Sequence, residues 1–186
     1  MRRDDAWELL CEYTKSESLR KHGLAVESAM RHFARRSGED EELWAITGLL
    51  HDFDYERDPG GHPQNGKPIL EQAGVPGQAV HAIQSHGDHT GIPRMTAMEK
   101  TLYAVDELSG FLTAVALVKP SKAVRDVDPS SVRRKMKDKA FARGVSRDMM
   151  LKGALDLGVP FDDLVSEVVR ALDDAGERLG LQGTPV

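Results

Sequence analysis

One cysteine, five per cent aromatic residues and no long apolar run define what this chain of 186 residues does without. Cys11 alone makes no internal disulfide, and a lone thiol fits a reducing, cytoplasmic location. Two Trp, three Tyr and five Phe offer little surface for stacking bases, which argues against a single-stranded nucleic-acid binder. The most apolar stretch, FLTAVALV at 111–118, is far shorter than the roughly 20 residues that cross a bilayer, so no membrane partner is expected. MRRDDAWELL at the amino end carries basic residues but no apolar h-region, and a secretory leader is not expected. A glycine-rich phosphate loop is missing too: neither GLLHDFD nor ARGVSRD fits the Walker pattern. No stretch alternates with period two, no hairpin dipeptide separates β-rich runs, and no repeat recurs.

What is present reads as an all-α chain. Forty per cent apolar residues suffice for a sizeable core, and a net charge of −5 suits a soluble protein. Helices are expected at 5–13, at 17–36 with Ser16 as cap and a stop near Ser37-Gly38, and at 39–51. The last of these is apolar on most sides across WAITGLL, which marks it as buried. The loop DYERDPGGHPQNG follows. A fourth helix runs to about Ala73, with Pro63 or Pro68 in its first turn. Further helices are expected at 76–86 and 96–118, ended by Pro120, and two to four shorter ones over 129–182, broken at Gly144, Gly158 and Pro160. This organisation suggests a core at 1–118 and a helical extension at 119–186 packed on it.

Charge is uneven. Between Lys119 and Lys152 there are eleven Lys and Arg against four Asp and Glu, while the rest of the chain has 14 basic and 26 acidic residues. A local basic segment in an acidic protein fits phosphate contacts, or simply a solvated helix surface.

At 100° per residue, helical position separates inward from outward histidines. His22 shares a face with Leu19, Val26, Ala29 and Phe33, whereas His32 falls off that stripe. His86 lies with Ala79, Ala82 and Ile83, and His81 points the other way. Asp106 flanks the stripe of Met98, Val105 and Leu112. His51 and Asp52 end a helix that is itself buried. A buried aspartate needs a partner or a metal. Imidazole with carboxylate suits a divalent ion, and several histidines favour Fe, Mn, Zn, Co or Ni over Mg alone.

A histidine, an adjacent His-Asp pair and a distant aspartate, here His22, His51-Asp52 and Asp106, resemble the pattern of the HD-domain superfamily of metal-dependent phosphohydrolases. HDFDYERD, HPQNGKPIL, AIQSHGD and EKTLYAVDELSGF look like segments of a bacterial and archaeal branch of predicted HD hydrolases. The resemblance covers about residues 20–118 and implies an HD-domain helical bundle with one or two divalent metal ions (Fe, Mn, Zn, Co, Ni or Mg). It implies that His22, His51, Asp52 and Asp106 hold a first ion, and that His62 and His86 hold a second with Asp52 bridging. The pair is followed by Phe53-Asp54 where the family commonly has Ile-Gly. Gly87 follows His86 where some two-metal members have a second histidine, and His89 lies three residues on.

The implied reaction is hydrolysis of a small phosphorylated compound, such as a nucleotide, by a metal-activated hydroxide. Asp52 would orient the nucleophile, and Asp54 or Glu56 would shuttle a proton. Phosphate oxygens call for cationic donors. Lys119, Lys122 and Arg125 come first, then Arg94 and the run RRKMKDK at 133–139. Two other readings stand beside this one: a diiron oxygenase of the same superfamily, and a non-catalytic, metal-stabilised sensing module.

Overall fold

The computed structural model describes residues 1–183. It is all-α, with no strand among the described residues. Helices α1 (Arg3–Tyr13), α2 (Glu17–Ser37), α3 (Glu41–Leu50), α4 (Lys67–Gln72), α5 (Gly77–Ser85) and α6 (Ala97–Leu117) come first; α7 (Pro129–Met136), α8 (Arg147–Leu157), α9 (Phe161–Asp174) and α10 (Gly176–Leu179) follow. No described helix is long and apolar enough to cross a membrane. The chain divides into two compact units, Met1–Tyr103 and Ala104–Val186, and the division falls inside α6.

In the first unit the helix ends follow local chemistry. Ser16 caps α2 by accepting from the Leu19 amide at 3.4 Å, and Gly38 closes it with φ 73°, a left-handed position that glycine takes without cost. Asp40 caps α3, accepting from the Glu42 and Leu43 amides at 3.0 and 3.1 Å. Pro68 occupies the first turn of α4, and Pro63 instead precedes a short 3₁₀ turn at Gln64–Gly66.

Helices α2 and α3 touch closely through two glycines. A Cβ on Gly48 would stand 2.7 Å from the Val26 carbonyl oxygen, and one on Gly23 3.1 Å from that of Leu49. All of Trp44 to Leu50 is therefore buried. Leu10, Ile46, Leu49, Leu50, Phe53, Leu70, Val80 and Ile83 fill the core below. Arg3 ties α1 to α2 by a two-pronged bond to the buried Glu27, both contacts at 2.9 Å.

The second unit is built around α9, whose Phe161, Leu164, Val165, Val168, Val169 and Leu172 are buried on one side of the helix. Gly153 lets α8 approach the α6 backbone, where a Cβ would stand 2.5 Å from the Ala104 Cα. Two arginines of the basic segment serve as scaffolding here. Arg147 donates to the carbonyls of Ala142 and Val145 at 2.6 and 2.7 Å, and also to those of Asp138 and Phe141. Arg133 pairs with Asp162 at 2.7 Å and lies over the Phe161 ring.

Candidate metal centre

The site is anchored where α3 ends. His51 is the C-cap residue, and the chain then winds through tight turns as far as Arg57. Phe53 is fully buried and meets the Tyr13 ring edge-on at 5.2 Å. Its carbonyl accepts from the buried Thr14 hydroxyl at 2.8 Å. The apolar residue between Asp52 and Asp54 thus fastens this turn to α1 and aims the flanking carboxylates. Glu56 is engaged as well, its carboxylate accepting from the Lys15 and Ser16 amides at 2.8 and 2.9 Å.

The histidines are oriented from behind. Nδ1 of His51 donates to the Gly48 carbonyl at 2.7 Å, and Nδ1 of His86 to the Ile83 carbonyl at 2.7 Å. A carbonyl only accepts, so in the neutral ring each proton sits on Nδ1 and each Nε2 offers a lone pair. Those Nε2 atoms face other Nε2 atoms: His51 meets His22 at 3.2 Å and His86 meets His62 at 3.3 Å.

Asp52 lies between the two pairs. Its Oδ2 is 3.4 Å from Nε2 of His51 and 3.8 Å from Nε2 of His22. Its Oδ1 is 3.1 Å from Nε2 of His62 and 3.5 Å from Nε2 of His86. One carboxylate oxygen thus serves each pair. Asp106, on α6, is 9 % exposed. Two groups of potential ligands result, His22 with His51 and Asp52, and Asp52 with His62 and His86, the ligand atoms within each group all lying within 4.8 Å of one another.

Electrostatics follow from this crowding. Burial opposes charge on Asp52, but the pull of His51 and hydrogen bonds from His51, His62 and His86 hold its carboxyl well below the usual carboxylate range. Burial likewise opposes a charged His62, yet hydrogen bonds to Asp52 and Asp54 push it up to about 9.

Asp54 is 3 % exposed and bonds Nδ1 of His62 at 2.6 Å. Its other oxygen is buried without a hydrogen-bond partner among the described residues. With Tyr13, Arg57, Asp58, Asn65 and Ile69, Asp54 also lines a cavity of about 300 Å³.

The loop bearing His62 is secured by residues that sequence reasoning did not single out for this purpose. The buried Gln84 amide donates to the Pro63 carbonyl at 2.6 Å. His89 donates from Nε2 to the His62 carbonyl at 3.2 Å. The peptide between His62 and Pro63 is cis. Arg94, a secondary candidate for phosphate, stacks on Tyr103 at 3.7 Å and donates to the Ser85 carbonyl at 3.0 Å and Asp88 at 2.6 Å. It braces the loop after His86. His81, pointing away from the site as expected, bonds Glu99 at 2.8 Å.

Of the leading phosphate candidates, Arg125 donates to the Gln182 carbonyl at 2.6 Å and pairs with Asp173 at 3.6 Å. Lys119 lies 4.0 Å from Asp128. Lys122 is exposed, at the positive φ of 52°.

Convergent imidazole lone pairs around a shared carboxylate are a donor set suited to divalent metal ions. Residues 19–110 match the family model described as HD domain, and the chain belongs to the HD-domain superfamily. HD domains bind divalent metals, and these His and Asp groups could hold one or more. No curated protein and no solved structure matches the chain.

Proposed function

We propose that the chain is a metal-dependent phosphohydrolase acting on a small phosphorylated compound, such as a nucleotide. His22, His51, Asp52 and Asp106 would hold one ion, and His62 and His86 a second, with Asp52 shared. The observation that carries this reading is the division of the Asp52 carboxylate, one oxygen toward His51 and the other toward His62. Family membership supports the hydrolytic class.

Divalent ions held there would supply Lewis-acid polarisation of a phosphoryl oxygen and a water acidic enough to ionise near neutral pH. The protein's part is to hold the donors still. The Gly48 and Ile83 carbonyls keep the His51 and His86 rings in the ligating tautomer. Lys119, Lys122 and Arg125 would meet the substrate phosphate, with Lys122 the least engaged of the three by the partners described above.

The test is metal analysis of protein purified with and without air, joined to a screen of phosphate esters and nucleotides, with Asp52→Ala as control. Bound metal with phosphate release in the wild type, and neither in the variant, is expected. If Asp52→Ala kept full metal content and full activity, the reading would fail at its centre. Bound iron with oxygen consumption and no phosphate release would point to oxidation instead.

A further inference from the structure

We infer that Asp54 is the positioning residue for one half of this centre: its buried carboxylate locks His62 with Nδ1 as donor and Nε2 free for a cation. The inference rests on the metal reading above and assigns a task within it.

Three rings are held from behind in this site, and one hold differs. His51 and His86 each lean on a neutral backbone carbonyl of their own helix, three residues back. His62 lies in a loop and has no helix behind it. A carboxylate eight residues earlier does the work, at 2.6 Å, with both side chains 5 % exposed. A carboxylate behind a ligating imidazole fixes its tautomer and raises its basicity.

The surroundings are shaped for this contact. A Cβ on Gly66 would stand 2.4 Å from Oδ2 of Asp54 and 2.8 Å from the Phe53 ring. Glycine at 66 leaves room for the carboxylate to lie flat against the backbone. No described hydrogen-bond donor reaches that oxygen, and the other oxygen of the carboxylate takes the bond from His62. The turn bonds from the Arg57 and Asp58 amides to the Asp54 carbonyl, at 3.0 and 2.9 Å, fix the backbone from which it reaches.

The experiment titrates metal-free wild type, Asp54→Asn and His62→Ala with Mn²⁺, reading ions per chain and the affinity of each. The expected result is two ions in the wild type. Asp54→Asn should bind one of them about 10- to 100-fold more weakly, and His62→Ala should lose that same ion, the other being unchanged in both. Unchanged affinity in a folded Asp54→Asn, or equal weakening of both ions, would overturn the inference and leave the metal reading standing. A wild type that took up no metal would end the metal reading, and this inference with it.

A second measurement needs no variant. With Zn²⁺ bound to the wild type, ring-nitrogen NMR should show His62 protonated at Nδ1 and coordinated through Nε2. Coordination through Nδ1, or an unprotonated Nδ1, would overturn the assignment.

Discussion

Nε2 of His62 lies 3.1 Å from Oδ1 of Asp52. In the metal-free chain a proton on that nitrogen is held between two acidic groups, because Asp54 bonds the opposite side of the ring. His62 is pushed up to about 9, above the ordinary histidine value of about 6.5. A raised pKa means that the folded chain holds the proton more tightly than the unfolded chain does. The resulting stability is fully present below about pH 6.5 and is lost as pH rises through about 9. Asp52 has the opposite sign: its depressed pKa contributes above about pH 4 and is lost as pH falls through the low folded value. The urea midpoint of chelator-treated protein should therefore decline between about pH 6.5 and 9. His62→Gln should flatten that decline, and an equally steep decline in the variant would refute the assignment.

Metal and proton compete for the same nitrogen, so metal affinity should rise over the same interval and uptake should release protons. Calorimetry in buffers of different ionisation enthalpy measures that release directly. Uptake without proton release below pH 7 would mean that His62 is not a ligand.

Gly48 is predicted to tolerate no side chain. Alanine favours a helix by about 1 kcal/mol over glycine, but its Cβ would meet the Val26 carbonyl oxygen at 2.7 Å and Met30 Cγ at 2.9 Å. Backbone cannot move aside cheaply, so the steric cost should exceed the propensity gain. A net loss of about 1–3 kcal/mol is expected in chemical denaturation. The same substitution shifts the carbonyl that holds His51, so metal affinity should fall with stability.

Much of this arrangement could be read from local chemistry. Ser16 and Gly38 bound α2 because capping depends on a few neighbouring residues, and His86 was placed inward because helical period is regular. The bounds of α3 differ from the expected 39–51 by two residues at the start and one at the end, where His51 serves as its C-cap and turns the chain into the metal loop. His62 followed only from family resemblance, since its loop has no period from which a facing can be computed. Asp54 shows the limit most clearly. Its spacing of eight from His62 matches no helix or strand repeat, and only the fold of HDFDYERD around the buried Phe53 brings the pair to 2.6 Å. Arg94 reads as a secondary phosphate candidate in the sequence because a partner such as the Ser85 carbonyl leaves no trace in residue type.

Thr14 should matter to the site without touching it. Its hydroxyl donates to the Phe53 carbonyl at 2.8 Å, and the residue is 1 % exposed. Thr14→Val keeps the shape and leaves that carbonyl unpaired, at a cost of about 1–3 kcal/mol. Because Phe53 stands between Asp52 and Asp54, metal affinity should weaken as well. A variant with lowered melting temperature but wild-type metal affinity would show that the turn is held adequately by Phe53 packing alone.

Asp52 should couple the two halves more strongly than any histidine. Ions that bind only the folded chain stabilise it by about 2.7 kcal/mol each at a hundredfold excess over the dissociation constant. The increment in melting temperature on adding Mn²⁺ to chelator-treated protein isolates this term, since each variant serves as its own metal-free reference. His86→Ala should lose the part due to the group with His62, and His51→Ala the part due to the group with His22. Asp52→Asn removes the carboxylate that both groups share, so that one substitution should abolish nearly the whole increment. The double variant His51→Ala/His86→Ala should then resemble Asp52→Asn and not exceed it. If Asp52→Asn retained half the increment, its carboxylate would belong to one group alone, and the two ions would be independent.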